Sequence, residues 1–501
     1  MLKRLAFATS FSVFVLIAAA APCRAADQWL EVKSPHFTVM SNAGQWSARD
    51  MAWQMEQVRS ALAALWPWAH VDLDRPFVVI AVKDEWSMKS IAPKYWEEKG
   101  SVHPASVWVI GVDRYYLAVR TDVKGEENVN LNPYQTSYFS YVALILGRSV
   151  PRPLPLWLFR GLSGVLSNTV VSQQKVLMGP PIPAYLRELR GVGGRLRVPE
   201  LVSATDKSPV FRGDLGEWRF DAQAWALVHM LMFSDGGAHA AAFQRYVDMV
   251  LTGVDPGKAF REALGPPEAL DGPMVSYIAR PLYTFHELPL DASVKREAFP
   301  SRTLSIQESA SVRALFHAAM QRPVEAHAAI AEARKGGDAP ESYVAEGELL
   351  ERERKLDEAK VAYQHAVDSG ATSSYPYRRL ASLMWRRPPN HDELTKIATL
   401  LGKAIALNIR DDYAYAMLGE ARSELGENDG LGYARRAIAL APQESYHHLS
   451  AARVLARERN FDEARKEVQA AQATARTDDE RQRVSQLAQW LETASRGRGQ
   501  D

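Results

Sequence analysis

Apolar positions along the chain recur first with the two-residue period of strands interrupted by helices, and from residue 305 onward with helical spacing only. Residues 29–39, WLEVKSPHFTV, alternate as a strand does, and Gly44 marks the turn that leaves them. Ser47 and Asp50 signal a helix start, after which Met51, Met55, Val58, Leu62 and Leu65 fall on one face as far as Pro67. Pro76 introduces Phe77–Val82, an apolar run with the β-branched content of a buried strand. A helical connection over residues 86–96 leads to a hairpin of residues 107–110 and 115–119, turning at Asp113-Arg114.

Residues 138–146 are dense enough in apolar side chains for a buried helix, which prolines 151, 153 and 155 stop. A second apolar helix opens at Trp157, so two buried helices meet at a proline-rich elbow. Pro180-Pro181-Ile182-Pro183 and residues 191–194 are surface punctuation. Helices follow over residues 220–229 and 240–251, and Asp255-Pro256 caps a third that ends at Gly265. Between 289 and 302 the pattern loses its periodicity and turns polar, which places a boundary there.

Beyond the boundary, small residues keep time. Ala333, Ala366, Ala404, Ala437 and Ala471 are separated by 33, 38, 33 and 34 residues, close to the roughly 34 of tetratricopeptide repeats (TPR). Seven residues before each stand Ala326, Ala359, Ile397, Gly430 and Ala464; three before each stand Ile330, Tyr363, Leu401, Ala434 and Val468. Small residues at these places let paired helices approach. The long interval holds Arg386-Arg387-Pro388-Pro389-Asn390, a surface insertion between two helices, and Val484, Leu487 and Leu491 put a capping helix over residues 479–495.

The tail of the elbow, Pro155-Leu156-Trp157-Leu158-Phe159-Arg160-Gly161-Leu162-Ser163, resembles the PLWLxEGLAEYFS stretch of gluzincin-type (peptidase MA-like) metallopeptidases, and of the bacterial peptidase-like domains that precede helical repeats. The order of strands and helices over residues 29–285 agrees with that resemblance. It implies an α+β metallopeptidase-like domain, a small sheet plus a helical subdomain, followed by an all-α TPR solenoid. In such peptidases HExxH stands on the preceding helix; counted back from the tail, its window falls on Phe139-Ser140-Tyr141-Val142-Ala143, to within one residue. Two imidazoles one turn apart and a distal carboxylate hold zinc while the intervening Glu takes a proton from its water. Here Phe139, Ser140 and Ala143 fill those places, and Arg160 stands where the resemblance expects the distal Glu. A guanidinium repels a divalent cation. None of the twelve histidines is followed by another four residues later, so no HExxH occurs elsewhere. The degenerate positions therefore imply no catalytic residue, metal or cofactor.

Two other candidates are weaker. His229 sits on an apolar helix with only Asp221 two turns back, which suits a hydrogen-bonded core histidine better than a base or ligand. Gly161-Leu162-Ser163-Gly164 misses the G-x-S-x-G spacing by one residue and follows a helix instead of a strand.

Charge and composition narrow the classes. Sixty basic against fifty-nine acidic residues leave no field for nucleic acid. Residues 1–25 have the basic start, apolar run and Cys23-Arg24-Ala25 end of a secretory signal; an uncleaved anchor or a lipid on Cys23 are the alternatives. Cleavage would remove the only cysteine, and with it any disulfide or thiol nucleophile. No other segment reads as a membrane span.

The expected organisation is a signal at 1–25, an inactive metallopeptidase-like domain at 26–290, a linker at 291–304, about five repeats with their cap at 305–495, and a disordered tail at 496–501. The expected function is an exported, periplasmic or extracellular, binding protein that holds protein or peptide partners through the TPR groove and through the edge of the N-terminal hairpin. An active hydrolase using a non-zinc constellation in the same cleft is the alternative, and a structural scaffold of a cell-envelope complex is the third reading.

Overall fold

The computed structural model describes residues 27–496 apart from 70, 98–102, 125–129, 151–152, 192 and 212–215. The expected signal at 1–25, Pro151 of the elbow and residues 497–501 of the expected tail lie outside the described residues.

Six strands form the first sheet: β1 (Leu30–Lys33), β2 (Phe37–Ser41), β3 (Phe77–Val82), β4 (Ser106–Ile110), β5 (Tyr115–Arg120) and, far along the chain, β9 (Ser301–Thr303). Their order is β4-β5-β3-β2-β1-β9, with β2, β3 and β5 parallel and the flanking pairs antiparallel. Helix α1 (Gln45–Leu65) connects β2 to β3; α2 (Glu85–Ile91) follows β3. Parallel strands with both faces covered read as unbroken apolar runs. Every residue of β3 is accordingly buried.

On one face Val39, Phe77, Val79, Tyr115 and Leu117 share a core with α1 and with α3 (Gln135–Ser149). The chain then forms α4 (Leu156–Ser167), the hairpin β6 (Thr169–Val171) and β7 (Lys175–Met178), and helices α5 (Pro183–Arg190), α6 (Val198–Ser203), α7 (Gly216–Phe233), α8 (Ala240–Leu251), α9 (Pro256–Leu264) and α10 (Asp271–Ile278). A second sheet, β6-β7-β8, closes when β8 (His286–Pro289) returns to β7.

Residues 291–304, expected as a linker, are built into the N-terminal unit. The Asp291 amide donates to Gln57 Oε1 at 2.8 Å, Ser60 Oγ donates to Asp291 Oδ2 at 2.8 Å, and β9 pairs with β1. A three-residue edge strand with outward polar side chains has no alternation to display in the sequence.

Five helix pairs follow: α11 (Ile306–Ala319) with α12 (Pro323–Ala333), α13 (Pro340–Arg352) with α14 (Leu356–Asp368), α15 (Tyr375–Met384) with α16 (His391–Leu407), α17 (Asp412–Glu424) with α18 (Gly430–Leu440), and α19 (Ser445–Arg457) with α20 (Phe461–Thr474). α21 (Asp478–Arg496) caps the stack, with Val484 and Leu491 buried. Ala333, Ala366, Ala404, Ala437 and Ala471 all have no exposed surface, which is what their period requires. In the fourth pair a Cβ on Gly419 would lie 2.7 Å from the Gly430 carbonyl, so only glycine lets those helices meet. The long repeat interval is absorbed by the loop before α16, which Asn390 caps through the Glu393 amide, and by the 17 residues of α16 itself.

The two regions are separate in chain order and continuous in packing. The second face of the sheet, Met40, Val78, Ile80, Val82, Tyr116 and Ala118, shares one core with Leu315, Phe316 and Ala319 of α11.

Candidate functional site

The positions that the resemblance sets against HExxH and its distal Glu lie on the packed pair α3 and α4. Phe139, Ser140 and Ala143 are half-buried along the outward side of α3, and Ser140 Oγ donates to the Thr136 carbonyl at 3.4 Å, closing on its own helix. On α4, Arg160 Nη1 lies 3.3 Å from Asp221 Oδ2 of α7. Burial pushes the Asp221 carboxyl up to about 6 while the Arg160 charge pulls it down, and Asp221 Oδ1 is buried without a partner. An aromatic, a hydroxyl turned into its helix, a methyl and a guanidinium do not make a zinc site. Among the described residues no group of three or more His, Cys, Asp or Glu is placed to hold a metal ion.

The rest of the motif does packing work. A Cβ on Gly161 would meet Val228 Cγ2 at 2.4 Å and the Ala224 carbonyl at 2.6 Å, so this glycine lets α4 and α7 touch. Trp157 is 1% exposed and stacks on Tyr246 with ring centroids 5.5 Å apart. Ser163 Oγ donates to the Phe159 carbonyl at 2.8 Å and is buried, which removes it as a nucleophile. His229 Nε2 stands 2.7 Å from the Gly179 carbonyl, which only accepts; the ring proton therefore sits there, and Nδ1 accepts from the Tyr277 hydroxyl at 2.6 Å. Burial holds its pKa down at about 4, so the ring is a neutral, doubly bonded core group as expected.

The first helices of the pairs, α11, α13, α15, α17 and α19, form the face on which a stack of this kind holds segments. Its front is occupied by the chain's own sheet. Tyr116 of β5 meets Phe316 of α11 edge to face at 5.5 Å, and Ser373, after α14, donates to Asp113 of the β4–β5 turn at 3.4 Å. Asp113 is held by Arg114 at 2.6 Å. Glu348 of α13, 2% exposed, lies near the same turn. Burial pushes its carboxyl up to about 7 against the pull of Arg352, and Asp113 adds to the rise. Further along, Arg410 donates to Asp72 at 2.8 Å and Asn408 to the Asp74 carbonyl at 2.9 Å. The expected TPR groove is thus filled at its front, because an apolar sheet face needs a cover and the alanine-rich side of α11 supplies it.

Behind this plug a cavity of about 500 Å³ opens between α15, α17, α19 and α21. Trp385, Met417 and Leu449 line it, with Tyr413 and Tyr446 stacked at 5.8 Å and 15°. Three of its ions are paired, Arg378 with Asp411 at 3.0 Å, Arg379 with Glu351 at 2.5 Å and Glu420 with Arg453 at 3.1 Å, while Glu480 and Arg483 line it without an ion pair among the described residues. Aromatic faces beside paired ions suit apolar side chains carried on a polar backbone. These residues were not singled out from the sequence. The signal was present as a 33-residue spacing: 446 − 413 for the stacked tyrosines, and 453 − 420 and 457 − 424 for the pairs Arg453–Glu420 and Arg457–Glu424.

No family model and no curated protein matches the chain. Among solved structures, similarity is found to YrrB, a TPR protein with an unusual peptide-binding site (16% identity, 35% of this chain and 90% of that one, TM-score 0.30). It is found also to TTC0263, a thermophilic TPR protein of Thermus thermophilus (18%, 36% and 98%, TM-score 0.28), and to yeast Tom70 (12%, 63% and 70%, TM-score 0.28). Residues 306–496 form a TPR-like solenoid of helix pairs, as the buried alanines and the pairwise packing require.

Proposed function

We propose that this chain is an exported protein-binding scaffold in which a peptidase-like domain without zinc ligands is seated on the solenoid, and the groove of repeats three to five takes an extended segment of a partner protein. The observation that carries this reading is the contrast along one face: the front is filled by the chain's own sheet, and the rear is open, aromatic and ion-paired. The substitutions at Phe139, Ser140, Ala143 and Arg160 support a binding role over a hydrolytic one, and the near-neutral charge suits a mixed-charge protein segment.

Capture of partners from the native compartment by intact protein and by Met417→Arg, which puts a long cation into the groove, tests the reading. Proteins retained by the intact chain and lost by the variant are expected. Equal retention by both would remove the groove from the function.

A further inference from the structure

Two further cavities adjoin each other, and the smaller of them shares Glu444 with the distal groove. One, of about 1060 Å³, lies between α3, α4, α6, α8 and α9; Leu146, Val150, Leu154, Trp157 and Phe260 form its apolar wall, and Thr205, Asp206, Asp255, Arg261 and Glu268 also line it. This is just above the roughly 300–1,000 Å³ of ligand pockets. The other, of about 330 Å³, lies where the solenoid meets the N-terminal unit. Gly147, Gln443 and Arg476 line both, so one continues into the other.

The smaller cavity is short of anions. Its carboxylates are already engaged: Asp72 by Arg410 and Arg59, Asp74 by Arg148, and Glu444 by the Tyr413 hydroxyl. Arg436 has no hydrogen bond or ion pair among the described residues, and the Arg476 guanidinium donates only to Gln443 Oε1, at 2.9 Å. Gln443 is 7% exposed and its Nε2 is buried with no partner. A buried donor left unmade costs free energy that an acceptor would recover. Two unpaired guanidiniums and an orphan amide donor are what an anionic head group needs.

The larger cavity says what the head is attached to. Prolines 153, 155, 199, 256 and 267 line it, and proline has no backbone N–H. A peptide laid along the wall of Leu146, Leu154, Trp157, Phe260 and these prolines would leave its own carbonyls unpaired, whereas an alkyl chain brings no polar group to satisfy. We infer that the joined cavities bind a long-chain amphiphile, with its carboxylate at Arg436, Arg476 and Gln443 and its alkyl chain beneath the elbow. The chain cavity shares no lining residue with the distal groove, which the head-group cavity meets at Glu444.

The test is calorimetric titration of intact protein with hexadecanoate below its micelle concentration, with hexadecanol, and with acetate. Saturable binding of one hexadecanoate is expected, with hexadecanol weaker by about tenfold or more for want of the charged hydrogen bonds, and acetate weaker still. Arg436 and Arg476 are exposed, so the double variant R436A/R476A keeps its fold and should bind acid and alcohol alike. Leu154→Trp, or Val202→Trp if the first does not fold, should weaken both by filling the chain cavity. The inference is overturned if hexadecanoate does not saturate, if the alcohol binds as well as the acid, if the double variant keeps the preference, or if an acetylated apolar tetrapeptide acid displaces hexadecanoate.

Discussion

Phe316→Ala probes the seam between sheet and solenoid. The side chain is fully buried on α11 and its ring meets Tyr116 of β5 edge to face at 5.5 Å, in a core that also holds Val78, Ile80 and Ala118 of the sheet. Truncating a buried Phe costs about 3–5 kcal/mol, the spread reflecting how far the cavity collapses. Of this, about 0.5–1.5 kcal/mol is the ring pair itself. Against the roughly 5–15 kcal/mol of a folded domain this is a large fraction. Because the residue belongs to the solenoid and its neighbours to the sheet, the loss is expected to fall on both. Urea unfolding can follow the two separately: of the 13 tryptophans only Trp385 and Trp490 lie in the solenoid, so fluorescence reports mainly the N-terminal unit, and segment-resolved hydrogen exchange reports α11 to α20. Both midpoints should fall together. A lowered solenoid midpoint with the fluorescence transition unmoved would refute a shared core.

Glu348→Gln should stabilise the protein near pH 8 and do little at pH 4. The folded carboxyl is raised to about 7, so the native state holds the proton more tightly than the unfolded chain, and wild-type stability falls as pH rises from the ordinary carboxylate value through 7. Melting temperatures across that range check the sign, and a variant less stable than wild type at pH 8 would contradict it. The mature protein should carry no stoichiometric zinc after dialysis, as plasma mass spectrometry can measure, because Phe139, Ala143 and Arg160 offer no ligand; one retained equivalent would contradict this. Trp157→Ala should destabilise by about 3–5 kcal/mol, given its burial against Tyr246 and Phe260. An unchanged thermal unfolding profile would place that ring outside the core.

Much of this fold is legible in the residues, for identifiable reasons. The repeat alanines are visible because a helix–helix contact without room for a larger side chain imposes its period on the sequence. Phe77–Val82 is visible because a strand covered on both faces must be apolar throughout. β6, β7, β8 and β9 are hidden, being strands of three or four residues, too short to show an alternation. The cover over the sheet is hidden as well, since the small residues of α11 look the same whether they face another helix or a strand. At the candidate site, residue types show only that positions 139, 140, 143 and 160 carry no metal ligand. They do not show that Arg160 finds Asp221 sixty-one residues away, nor that the front of the groove is plugged by residues 111–116, because both are contacts made in space between distant parts of the chain.

Site-specific photo-cross-linking tests the central proposal, a groove half filled in cis and open behind. A benzophenone side chain placed at Ser382, in the distal cavity, should cross-link the partner in the native compartment, and the same group at Val361, 57% exposed on α14, should not. Cross-links from Val361 with none from Ser382 would contradict it.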